Sequence, residues 1–207
     1  MPATSLSLPY AHLNLRRNPF GELTPDERAS VAVVDASRWI ERLGSAGGAV
    51  QFVGESGRGK STRLLALQRS FPGAPYVLIP EECIVAIPDA PVVFVDEVQR
   101  LPGRARRALF ARRASLALGS HEDFSAELRS AGREIETVLL RGISEGLLLA
   151  ILDARVEAAR RGPGPVPRVG PGTIRTLIAA HGDDVRAIED RLYDAVQAME
   201  EPGDVEV

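Results

Sequence analysis

Lysine is nearly absent from this chain. Of its 25 basic residues one, Lys60, is lysine and the other 24 are arginine, a bias that fits a GC-rich bacterial genome. Cysteine is as scarce. Cys83 stands alone, which excludes an internal disulfide and points to a reducing compartment. No histidine lies near it in sequence, so it reads as a free structural thiol rather than a catalyst. His12, His121 and His181 are scattered, without metal-ligand spacing. No stretch reaches the ~18 apolar residues of a membrane span, and Met1–Arg17 has no apolar run of signal-peptide length. These absences predict a cytoplasmic protein with no membrane contact. A net charge of -3 and a pI near 5.7 give no global reason to expect nucleic-acid binding.

What is present is enough for one sizeable core: 207 residues, 44% of them hydrophobic. Thr24 as a cap, Pro25 at the first helical position and Glu27 closing a capping box predict a helix. It would carry Val31, Val34, Trp39, Ile40 and Leu43 and stop near Gly44. Ala49–Val53 reads as a buried strand, Lys60–Ser70 as a helix and Pro75–Ile79 as a short strand. Residues 80–91, with three prolines, read as a loop. Val92–Val95 is a continuous apolar run, as a central parallel strand covered on both faces requires. Gly103–Arg113 is a short arginine-rich helix, Ser115–Leu118 a strand, Glu122–Ala131 a helix and Thr137–Leu140 the last strand. Helices alone are expected afterwards, over Ser144–Arg161, Gly172–Ala180 and Asp184–Met199, with a frayed tail beyond Glu200. Strands alternating with helices predict a parallel α/β sheet. The expected division is an N-terminal extension and capped helix over 1–45, an α/β core over 46–142, a helical lid over 143–200 and a tail over 201–207.

The single lysine closes the sequence Gly54-Glu55-Ser56-Gly57-Arg58-Gly59-Lys60-Ser61, followed by Thr62. This matches G-x-x-x-x-G-K-[ST] in full and lies between a predicted strand and a predicted helix, the context the motif requires. Its glycines let backbone amides wrap phosphates, and the helix adds its positive dipole end. Lys60 is needed as lysine because a compact ammonium curls over phosphates where a planar guanidinium does not fit. Ser61 is expected to place its hydroxyl on Mg²⁺. Asp96 and Glu97 end the apolar strand, Asp96 suited to the Mg²⁺ shell and Glu97 to act as base for a water. No N-K-x-D guanine-reading motif is present.

At these residues the chain resembles the AAA+ ATPases within the P-loop NTPase superfamily, over about residues 18–199. Asn18-Pro19-Phe20 before a capped helix resembles the start of bacterial AAA ATPases of secretion and transposition. Gly54–Ser61 matches Walker A and Val92–Glu97 Walker B. The resemblance implies a three-layer α/β/α P-loop core with a central parallel sheet, followed by a small C-terminal helical lid. It implies ATP and Mg²⁺ as ligands, ATP hydrolysis, and a place for Pro19-Phe20 in the base pocket; Trp39 reads as core, with the adenine as its alternative. Leu116–Ser120 looks like the first-sensor strand, putting Ser120, or alternatively His121, against the γ-phosphate or attacking water. Gly182-Asp183-Asp184-Val185-Arg186 resembles the second sensor, with Arg186 reaching the phosphates. Arg129 and Arg133 lie where the family often keeps an arginine finger. Two departures stand out. Residues 80–91 are too short and proline-rich for the usual helix and pore loop, which argues against a threading machine. The lid also has three predicted helices where four are usual. Any DNA- or membrane-binding module is expected on a partner.

Arg104, Arg106, Arg107, Arg112 and Arg113 crowd one segment. They read as a solvated helix face, as an interface for a second copy or another protein, or, less favoured for lack of stacking aromatics, as a nucleic-acid contact. Two function classes follow: an ATPase that couples nucleotide state to core–lid movement and partner binding, or a nucleotide-dependent binding switch with negligible turnover. A helper ATPase on DNA, for transposition or defence, is the third reading.

Overall fold

The computed structural model describes residues 9–82 and 85–207. Cys83 lies outside the described residues. The chain forms two compact units, Pro25–Arg141 and Met1–Thr24 with Gly142–Val207. Residues 1–45, read from the sequence as one segment, are thus divided between the two.

The Pro25–Arg141 unit is built on five strands, β1 (Ala49–Val53), β2 (Tyr76–Leu78), β3 (Val92–Asp96), β4 (Ser115–Ser120) and β5 (Ile135–Leu139). All pair in parallel, in the order β2-β3-β4-β1-β5. Every residue of β1 and β4 is buried, the signature of strands covered on both faces. Alternation along each strand divides the core. Val93, Val95, Leu116 and Leu118 pack with Leu109, Phe110 and Leu128, from helices α4 (Gly103–Phe110) and α5 (Ser125–Ser130). Val50, Phe52, Phe94 and Ala117 pack with Leu43, Leu64 and Leu67, from α2 (Ser37–Gly44) and α3 (Lys60–Gln68). Trp39 belongs to the second layer. Its ring meets Phe52 edge-on at 4.8 Å, and its indole N–H donates to Glu136 at 2.9 Å.

The single helix expected from Thr24 to Gly44 is two. α1 covers Pro25–Ser30, and α2 restarts at Ser37. The break falls on Val31-Ala32-Val33-Val34, where three β-branched residues lose rotamer freedom in a helix. Asp35 then accepts from the Ser37 N–H at 3.1 Å, a local turn that competes with helix.

The other unit holds α6 (Glu145–Ala159), α7 (Pro171–His181) and α8 (Val185–Gln197). Ser144 caps α6 by accepting from Leu147 N, and Asp184 caps α8 by accepting from Arg186 N and Ala187 N. Leu148, Leu152, Ile174, Leu177, Ile188, Leu192 and Val196 make its core, joined by Leu13, Leu15 and Phe20 from the N-terminal segment. Buried Arg155 pins that segment, donating to Pro19 O at 2.8 Å and Gly21 O at 2.6 Å while pairing with Glu189 at 2.9 Å. The tail expected to fray is docked instead. Val205 is fully buried, its N–H donates to Arg168 O at 2.8 Å, and its carbonyl accepts from Thr173 Oγ1 at 2.9 Å.

Candidate nucleotide-binding site

β1, β3 and β4 end side by side, since Val53 is in register with Ser120 and Val95 with Leu118. Their carboxyl ends deliver Gly54, Asp96-Glu97 and Ser120-His121 to one place. β1 leads to the far edge strand β2, and β5 lies on its other side, so the chain's direction across the sheet reverses here. Crevices at such a reversal, beyond the strands' carboxyl ends, are where open α/β sheets bind ligands.

The loop from Gly54 to Gly59 turns tightly because Gly57 (φ 78°) and Gly59 (φ 77°) take the left-handed region that glycine enters freely. Lys60 is 5% exposed despite its charge. Its ammonium donates to Gly54 O at 2.8 Å and Glu55 O at 2.9 Å, so it lies folded over the loop it closes. The loop continues into α3, whose first turn carries Lys60, Ser61 and Thr62.

Ser61 Oγ donates to Asp96 Oδ2 at 2.5 Å. Asp96 is 1% exposed, and its other oxygen, Oδ1, accepts from Glu97 N at 3.0 Å. Glu97 follows with φ 58°, a left-handed conformation that costs a non-glycine residue on the order of 1–3 kcal/mol and concentrates at functional sites. Its carboxylate accepts from Gln99 Nε2 at 2.7 Å, pairs with Arg100 at 3.3 Å and stands 3.5 Å from His121 Nε2. Arg100 is anchored in turn on Ile79 O at 3.0 Å and Glu81 at 3.0 Å.

At the end of β4 the two sensor alternatives separate. Ser120 is fully buried, and its hydroxyl accepts from Glu122 N at 2.9 Å, holding the turn. His121 is the residue that reaches the loop, with Nε2 3.3 Å from Lys60 Nζ and Nδ1 3.6 Å from Glu55. The turn is fixed from below. Gln51, buried in β1, donates to Asp123 at 2.6 Å, Ser125 at 2.8 Å and Thr137 at 2.9 Å, and accepts from Phe124 N at 3.1 Å. Ser125's hydroxyl and backbone N–H, with Gln51, hold the Asp123 carboxyl below its ordinary range.

Other expected residues belong to other elements. Arg186 sits exposed in the first turn of α8, in the helical unit. Phe20 is buried in that unit's own core, and Trp39 in the core of the sheet unit. Arg133, a finger candidate, is 7% exposed and spends its guanidinium on four carbonyls, those of Phe110, Gly47, Ala114 and Arg112. It caps the carboxyl end of α4, where a cation meets the helix dipole, and is not available to a neighbouring molecule. Arg129 is exposed. Of the arginine-rich segment, Arg106 pairs with both oxygens of Glu127 and lies 4.3 Å over the Phe124 ring, and Arg112 donates to Ile87 O and Pro88 O. Arg104, Arg107 and Arg113 alone face solvent.

Sequence reasoning missed Tyr76, Gln99 and Arg100. Gln99 and Arg100 carry no motif, and Tyr76 meets Asp96 only through the pairing of β2 with β3.

The donor set suits a hard cation held by a hydroxyl, one carboxylate, phosphate oxygens and water, as Mg²⁺ prefers. Among the described residues no cluster of three or more His, Cys, Asp or Glu side chains could hold a metal by itself. No helix among them is long and apolar enough to cross a membrane.

No protein-family profile and no curated protein sequence matches the chain. Solved structures do. NtrX from Brucella abortus aligns with a TM-score of 0.51 at 14% identity, over 87% of this chain and 55% of that one. Cdc6p from Pyrobaculum aerophilum aligns with a TM-score of 0.51 at 13% identity, over 91% of this chain and 65% of that one. This chain therefore spans little more than half of the first and just under two thirds of the second. At such identities the likeness speaks for architecture alone: an α/β/α core with a parallel sheet, followed in the chain by helices.

Proposed function

We propose that this protein binds Mg-ATP at the Gly54–Thr62 loop and hydrolyses it. The observation that carries the reading is the part-buried Ser61–Asp96 pair, 2.5 Å apart, beside a lysine already folded over a glycine-rich loop. The amides of Glu55 to Ser61 would hold the phosphates. Lys60 would leave the loop carbonyls for phosphate oxygens, a stronger charge-assisted partner. Ser61 and Asp96 would hold Mg²⁺, which when bound supplies positive charge against the phosphate oxygens. Glu97 would orient and deprotonate the attacking water. Hydrolysis would alter the relation of core to lid, and a partner or second copy would read the change. The part proposed for Arg186 in sensing the γ-phosphate rests on its sequence context; of the two first-sensor alternatives, His121 is favoured by its approach to Lys60, since the Ser120 hydroxyl is bound to Glu122 N.

One observation favours the second reading, a binding switch with negligible turnover. Glu97 is engaged by Gln99 and Arg100, and a base so held is slow to act. The DNA-helper reading has only the three exposed arginines Arg104, Arg107 and Arg113 to support it.

The deciding experiment is Mg-ATP turnover across protein concentration, with Lys60→Ala and Glu97→Gln beside the wild type. Turnover that vanishes in both variants supports the ATPase. A rise of specific activity with concentration adds an intersubunit site. ATP binding that raises the melting temperature with no turnover at any concentration supports the switch. No binding overturns both.

A further inference from the structure

We infer that Tyr76 is a positioning residue for the Mg²⁺ site, an inference that rests on the reading of Ser61 and Asp96 given above. Tyr76 opens β2, pairs in register with Phe94 of β3, and donates its hydroxyl to Asp96 Oδ2 at 2.8 Å. Ser61 donates to the same oxygen at 2.5 Å. A carboxylate oxygen has two lone-pair sites, and these two donors fill both, which leaves Asp96 the second site of Oδ1 for the Mg²⁺ shell. Oδ1 accepts from Glu97 N at 3.0 Å, and on that side Gly119 stands so close that a Cβ would collide with Oδ1. The Asp96 carboxylate is therefore fixed in one orientation by three donors and a glycine, with no cation needed to set it.

The consequence falls on Ser61. With Tyr76 as a permanent donor, Asp96 Oδ2 stays an acceptor, and the Ser61 hydroxyl proton is committed to it. The Ser61 oxygen then turns its lone pairs away from Asp96, toward the space above the loop. Tyr76 thus acts through Asp96 and Ser61 and touches neither nucleotide nor metal. Outer-shell partners of this kind typically change metal affinity by about 10–100-fold when removed.

The test is ATP binding by calorimetry at a series of Mg²⁺ concentrations and again in EDTA, for wild type and Tyr76→Phe. The ring is kept so that the packing survives, and the melting temperature without ligand checks this. The expected result is a rise of about tenfold in the Mg²⁺ concentration giving half the metal-dependent gain in affinity, with metal-free ATP affinity unchanged. Asp96→Asn, run beside it, should abolish most of the metal-dependent gain. An unchanged Mg²⁺ requirement in Tyr76→Phe, with Asp96→Asn impaired, overturns the inference and leaves the site reading intact. Equal losses with Mg²⁺ and in EDTA also overturn it, since they report a general disturbance of the loop. A wild type that binds no ATP overturns the site reading and this inference together.

Discussion

The ammonium of Lys60 and the ring of His121 meet at 3.3 Å, Nζ to Nε2. Nε2 thus stands between that ammonium and the Glu97 carboxylate, 3.5 Å away, while Nδ1 faces Glu55 at 3.6 Å. The residue after the expected sensor is therefore the one that touches the lysine closing the glycine-rich loop. Ser120 is bound into its own turn. Replacing each separates the roles. His121→Ala should lower ATP turnover by about 10²-fold, the scale of losing one preorganised polar group, while leaving stability within about 0.5 kcal/mol. Ser120→Ala should do the converse, costing about 1 kcal/mol through the lost bond to Glu122 N. Turnover and urea unfolding on the same preparations check both.

Arg133 and Arg129 are four residues apart and make opposite predictions. Arg133→Ala removes the donor to four carbonyls, those of Phe110 and Arg112 at the end of α4 and those of Gly47 and Ala114 ahead of β1 and β4. With charged hydrogen bonds contributing about 1.5–3 kcal/mol each and incomplete additivity, a loss of at least about 3 kcal/mol is expected. Arg129→Ala leaves stability within about 0.5 kcal/mol. If an intersubunit finger exists, activity lost in Arg129→Ala is partly restored by mixing with the Glu97→Gln protein, and activity lost in Arg133→Ala is not.

Asp123 gives a pH dependence with a fixed sign. Its folded pKa lies below the ordinary 3.8, chiefly because Ser125 donates to it. A depressed carboxylate contributes stability that is present above the unfolded value and lost as pH falls through the folded one. The wild type should therefore exceed Asp123→Asn in stability at neutral pH, and the gap should close below about pH 3.8. Urea midpoints of the two proteins from pH 7 to pH 3 measure it. A constant gap would assign the loss to packing alone.

Much of the sheet unit could be read without coordinates because its signals are local. Gly54–Ser61 carries its chemistry in eight consecutive residues, and Val92–Val95 announces a covered strand by composition alone. Tyr76 could not be read, because its bond to Asp96 depends on the register of β2 against β3. Arg133, one of two finger candidates, could not be told from Arg129 for a related reason. Sequence displays the guanidinium but not the carbonyls that consume it. The helix from Thr24 was overextended because an apolar period continues through Val31 and Val34, where β-branching breaks the backbone that the period assumes.

The C-terminal tail shows the same gap between composition and context, and it can be tested by itself. Pro202, Gly203 and the acidic residues around them look like a chain end in solvent. Yet Val205 is fully buried in the core of the helical unit, beside residues from α6, α7 and α8. Its N–H and carbonyl bond Arg168 and Thr173, so the tail pins the 160–170 connection and the start of α7 at once. Burying a valine contributes about 1.5–3 kcal/mol, and a charge put in its place has no partner there. Val205→Ala should cost about 1–2 kcal/mol and Val205→Asp more than about 3 kcal/mol. Limited proteolysis should then open the 160–170 connection in Val205→Asp before it reaches the sheet unit. If Val205→Asp unfolds no earlier than wild type and resists the protease equally, the tail does not support the helical unit.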